Sequence, residues 1–120
     1  MKWQLLAITF SLFGVVALSA QSDYYERQAR SHQSDVAYYV KQAQGYDKDA
    51  EYSMREAAGH LRDAEYYQRQ KQYEQARSSL RKARNAIERA DDNKRKADNA
   101  RSNAKSYIRR AEDALQNAKK

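Results

Sequence analysis

The chain has 120 residues, a formal net charge of +7, no cysteine and no proline. Without cysteine there are no disulfides, no thiolate metal ligands and no lipid-bearing thioether at a processing site. Ala, Gln, Arg, Lys and Glu dominate, all strong helix formers, and a proline-free chain contains no obligatory helix break.

The first element is an N-terminal leader. Lys2 precedes an apolar run from Leu5 to Leu18 that ends in Ala17-Leu18-Ser19-Ala20. One positive charge, a short apolar core and small terminal residues are the parts of a secretory signal peptide. Cleavage after Ser19 would put Ala17 at the −3 position, and cleavage after Ala20 would put Leu18 there. A membrane anchor needs about 17–25 apolar residues. Here the run is shorter, and Asp23 and Glu26 follow it closely. The expectation is a cleaved leader over 1–20, a periplasmic or secreted protein, and no transmembrane anchor once the leader is removed.

The second element is a helical arm over about residues 22–67. Stepping by seven from Ala29 gives Val36, Ala43, Ala50, Ala57 and Ala64. Sustained heptads argue for paired helices. Val40, Met54 and Leu61 are read as the neighbouring core row. The arm also repeats at 14 residues, as SDYYERQARSHQSD, VAYYVKQAQGYDKD, AEYSMREAAGHLRD and AEYYQRQKQYEQAR. Fourteen residues are two heptads, so each copy presents the same face, and such repetition suggests growth by duplication.

The register then fails at Lys71 and restarts at Ala76, twelve residues after Ala64 instead of fourteen. A continuous rod could absorb the slip by overwinding. Alternatively the chain turns near Gln68–Gln72 and folds back. Residues 22–75 hold 8 Lys/Arg and 10 Asp/Glu, a net of −2, whereas residues 76–120 hold 14 and 6, a net of +8. Opposite charge, similar arm lengths and the need of a heptad helix for a packing partner favour the hairpin. The absence of Gly or Pro in the turn opposes it, and Gly45 and Gly59 offer other places to bend.

The third element is a second arm over about 73–118, with Ala76, Ala83, Ala90, Ala97, Ala104, Ala111 and Ala118 in strict register. Its neighbouring row is read as Tyr73, Leu80, Ile87, Ile108 and Leu115, interrupted by Lys94 and Arg101. LRKARNAIERA from Leu80 matches IRRAEDALQNA from Ile108, a 28-residue repeat. The expected fold is all-α: a long antiparallel helical hairpin, or coiled coil, on alanine heptads. The stretch from His60 to Ala100, through Leu61, Ala64, Tyr73, Ala76, Ala83 and Ala90, resembles an uncharacterised alanine-heptad helical-hairpin domain family of Gram-negative envelope proteins. That resemblance implies a periplasmic setting and brings no known activity.

Candidate chemistry is sparse. His32 and His60 occupy equivalent places in two repeat copies, with Tyr46 between them and Glu74 beyond. Twenty-eight residues along one helix is about 42 Å, so the two histidines cannot share an ion within one rod, and they are read as surface residues copied by duplication. Asp47/Asp49, Asp91/Asp92 and Glu112/Asp113 are flanked by Lys or Arg on faces expected to be wet, with no cleft to shift their pKa. No enzyme, no cofactor, no metal site and no nucleic-acid partner are expected. Tyr25, Tyr39, Tyr46 and Tyr67 fall beside the alanine row, and Tyr24, Tyr38, Tyr52 and Tyr66 lie one step further out. They either cover the thin alanine seam or form an exposed ladder for a partner.

Two binding roles remain. One is a structural or interaction protein that binds itself or another envelope protein. Its helix-packing interface would be Ala43, Ala50, Ala57, Ala64, Ala76, Ala83, Ala90, Ala97, Ala104, Ala111 and Ala118, with the alanine and tyrosine stripes joining two hairpins into a four-helix bundle. The alternative is a polyanion-binding module for lipopolysaccharide, anionic lipid or cell-wall polymer. It would use Arg77, Arg81, Lys82, Arg84, Lys94, Arg95, Lys96, Arg101, Lys105, Arg109 and Arg110, which suit binding by counterion release.

Overall fold

The computed structural model describes the backbone of residues 2–119 and the side chains of residues 20–119. Apart from Ala20, the leader expected over 1–20 lies outside the described side chains. The chain forms two helices, α1 (Lys2–Arg69) and α2 (Tyr73–Lys119), which pack against each other as a helical hairpin. No helix among the described residues is long and apolar enough to cross a membrane.

Local interactions support helix formation on the outer faces. Gln28 and Gln42 each donate a side-chain hydrogen bond to the tyrosine hydroxyl four residues earlier, Tyr24 at 2.9 Å and Tyr38 at 2.8 Å. Exposed ion pairs at three- or four-residue spacing join Glu26 to Arg30, Glu74 to Arg77 and Asp92 to Arg95. Each such pair contributes only about 0.2–0.5 kcal/mol.

The turn reverses the chain without glycine. The Gln72 N–H donates to the Tyr67 carbonyl at 2.8 Å and the Lys71 N–H to the Gln68 carbonyl at 3.0 Å. Lys71 has φ 59°. These are the two crossed bonds and the left-handed residue of a Schellman cap, with lysine where glycine usually sits. The carbonyl of Gln72 then accepts from the Ala76 N–H at 3.0 Å and starts α2. Capping thus answers the objection that the turn carries no glycine.

The contacts divide into two units. One joins α1 up to Ala37 with α2 from Ala104, and the other runs Tyr38–Asn103 and contains the turn. Lettering each helix a to g from its alanine row, position a is Ala29, Val36, Ala43, Ala50, Ala57 and Ala64 in α1. In α2 it is Ala76, Ala83, Ala90, Ala97, Ala104, Ala111 and Ala118. All are buried at 7% exposure or less except Val36 and Ala118, which are half-buried.

The second seam row is a correction. It lies three residues after each a position, not four. In α1 this d row is Tyr25, His32, Tyr39, Tyr46, Ser53, His60 and Tyr67, all buried or half-buried; in α2 it is Ser79, Ala86, Asn93, Ala100, Tyr107 and Ala114. The aliphatic row expected there, Val40, Met54 and Leu61 with Tyr73, Leu80, Ile87, Ile108 and Leu115, is instead 39–61% exposed. The reason is steric. Methyl-sized contacts let the backbones approach closely, and a branched side chain at the centre would push them apart. Flat rings can lie along the edge of the seam, as Tyr39 and Tyr46 do against Ala43, Ala97 and Ala100.

Candidate interaction surface

An antiparallel pair of heptad helices has two edges, one made by both g rows and one by both e rows. In the unit Tyr38–Asn103 the g edge is electrostatic. Glu56 of α1 pairs with Arg89 of α2 at 3.8 Å. Counting seven up one helix and seven down the other places Asp63 opposite Lys82, Asp49 opposite Lys96, and uncharged Gln42 opposite Asn103. The pattern continues in sequence, with Asp35 matching Arg110 and Gln28 matching Asn117. By this count every charged g position is matched with an opposite charge and every neutral one with a neutral amide, so any slip by one heptad loses matches; among the described residues Glu56–Arg89 is the pair that closes to within 4 Å. Lys96 also stands over the Tyr46 ring, 5.8 Å from its centroid.

The e edge of the same unit is largely apolar and open. Val40, Met54 and Leu61 of α1 and Leu80 and Ile87 of α2 are 39–50% exposed. The charged side chain of Lys94 and one polar crosslink interrupt them. Arg101 donates to Asp47 across the helices at 2.8 Å and to Asp98 on its own helix at 2.6 Å. These hydrogen bonds, to Asp98 first and then Asp47, raise the guanidinium above its usual pKa. Beside the crosslink a shallow groove is lined by Asp47, Ala50, Glu51, Met54, Arg55 and Lys94.

In the other unit, Gln33, Val36, Ile108, Ala111, Glu112 and Leu115 line a further groove, and Ile108 and Leu115 are each 42% exposed. His32 lies with its ring 5.9 Å from that of Tyr107, and Arg110 sits 4.8 Å over the same tyrosine. The Nδ1 of His32 is buried without a hydrogen-bond partner. The histidines are therefore not the surface residues expected from duplication; His32 and His60 are half-buried on the seam row. No cluster of three metal-ligating side chains occurs among the described residues.

The basic residues do not converge on one stripe. All eleven predicted contacts are exposed and occupy the b, e, f and g rows of α2. Arg77, Arg95 and Arg101 are engaged by carboxylates, and Lys96 and Arg110 by tyrosine rings. Of the others, Arg81 and Arg84 line one depression near the turn together with Arg77 and Leu80.

The tyrosines split between the two readings. Tyr25, Tyr39, Tyr46 and Tyr67 are half-buried on the seam, whereas Tyr24, Tyr38, Tyr52 and Tyr66 are 52–61% exposed. The exposed four alternate along the c row with Ser31, Gly45 and Gly59, and a Cβ added at either glycine would meet nothing within 4 Å. Sequence reasoning assigned the e row to the core. The matched g rows were the signal that would have corrected it, since they bracket the seam only when the d row is core.

No family model matches the chain, and no curated protein or solved structure is similar to it.

Proposed function

We propose that this chain is a non-enzymatic structural or interaction protein of the cell envelope, exported by its leader, which works by associating with itself. One observation carries the reading. The described residues include few large aliphatic side chains, and nearly all of these lie outside the seam, where alanine suffices. Half-buried Val36 is the exception among the described residues. Exposed apolar side chains aligned in a row, as opposed to scattered singly, mark an interaction site. The resemblance of His60–Ala100 to an envelope hairpin family fits this setting. The test is sedimentation equilibrium across a concentration series on protein produced from the full chain in a bacterial host. Mass rising with concentration is the expected result; a constant monomer mass rejects self-association.

A second reading is favoured by the cluster near the turn. Arg81 and Arg84 have no carboxylate partner among the described residues, and they share a depression with Arg77 and Leu80. This corner would bind anionic envelope polymers. Retention on lipopolysaccharide that falls steeply with salt, and is lost in Arg81→Gln/Arg84→Gln, is its expected signature.

A further inference from the structure

Resting on the reading of self-association, we infer that the e edge of Tyr38–Asn103 is the contact, and that its occupant is the same edge of a second copy with both turns at the same end.

Charge selects the pairing. The edge carries Asp47 on α1 and Arg101 on α2 at one level, joined at 2.8 Å, with the apolar side chains Met54, Leu61, Leu80 and Ile87 and one charged side chain, Lys94, between that level and the turn. Two such edges can meet face to face about a two-fold axis in two ways. With the axis along the helices, α1 of one copy lies over α2 of the other and the levels are kept. Asp47 of each copy then faces Arg101 of its mate, and four charges alternate in sign around a closed square. With the axis across the helices and centred on the pair, α1 lies over α1, Asp47 faces Asp47 and Arg101 faces Arg101. Like charges juxtaposed in an interface cost several kcal/mol. Of these two arrangements, the first is the self-complementary one.

The same arrangement satisfies the aliphatics. Leu61 and Ile87 stand at one level on opposite helices, so each Leu61 meets the Ile87 of the other copy. Isologous contacts of this kind close on themselves and stop at two copies. The product is a four-helix bundle in which neighbouring helices run antiparallel, built on the e rows and not on the alanine and tyrosine stripes.

Two measurements on the full chain decide the matter. In sedimentation equilibrium, Asp47→Arg and Arg101→Asp each weaken the dimer roughly tenfold or more, and the double variant D47R/R101D restores it. In air oxidation of single-cysteine variants, an equimolar mixture of Leu61→Cys and Ile87→Cys forms mixed disulfide dimers, while each variant alone forms few. A dimer that crosslinks through Leu61→Cys alone, or that ignores both charge reversals, overturns the inferred contact while leaving self-association standing. A monomer at every concentration overturns both.

Discussion

Lys71, Gly45 and Gly59 are each a mismatch between residue type and surroundings. Lys71 occupies the left-handed region at φ 59°, where a Cβ costs roughly 1–2 kcal/mol. Lys71→Gly is therefore expected to raise unfolding stability by about 1 kcal/mol, read by urea titration. Gly45 and Gly59 lie within α1 with open space where a Cβ would go. Gly45→Ala and Gly59→Ala should each stabilise by up to about 1 kcal/mol, checked by thermal melts. A loss of stability at either would mean that the bare backbone is needed by something docked there. The position of the turn was legible in the sequence, from the slip between Ala64 and Ala76. Its chemistry was not, because a lysine in the left-handed region leaves no trace in composition.

Each helix is legible as a heptad, but an alanine row names only one of the two seam positions. The partner helix decides whether the other lies three or four residues on. Favouring aliphatics chose four, and that choice failed because a seam closed on Ala86 and Ala97, both 0% exposed, has no room for leucine. Ala97→Leu tests this directly: overpacking should cost about 1–3 kcal/mol, seen as a lowered denaturation midpoint. The opposite charges of the arms were visible as net values of −2 and +8, yet the pairs they form lie in particular rows, Glu56–Arg89 on the g edge and Asp47–Arg101 on the e edge. Replacing Asp49, Glu56 and Asp63 together by lysine should destabilise by roughly 0.2–1 kcal/mol per site. The deficit should shrink as salt is added; a deficit independent of salt would remove the g edge from the account of pairing.

For the whole molecule, the candidate site was legible as a set of residues and illegible as a place. Leu61, Leu80 and Ile87 stood out in the sequence because large aliphatics are rare there, but they were assigned to the inside. Leu61→Ser/Ile87→Ser should cost the isolated hairpin little, since both side chains are already about 40% exposed, while abolishing the concentration-dependent rise in mass. Unfolding of that variant at low protein concentration would show that the edge supports the hairpin itself. The proposed export makes its own prediction: intact mass of the purified protein should place its first residue at Ala20 or Gln21.

A seam of methyl groups also shapes the thermal behaviour of the protein. The heat capacity released on unfolding follows the apolar surface newly exposed to water, and ordinary domains give about 12–15 cal/mol/K per residue. Among the described residues the buried side chains are alanines and two serines, Ser53 and Ser79, so the increment per residue should fall below that range in scanning calorimetry. A small increment flattens the curve of stability against temperature. The hairpin would then hold nearly the same margin in cold and in warm surroundings, with a broad melt and little tendency to unfold on cooling.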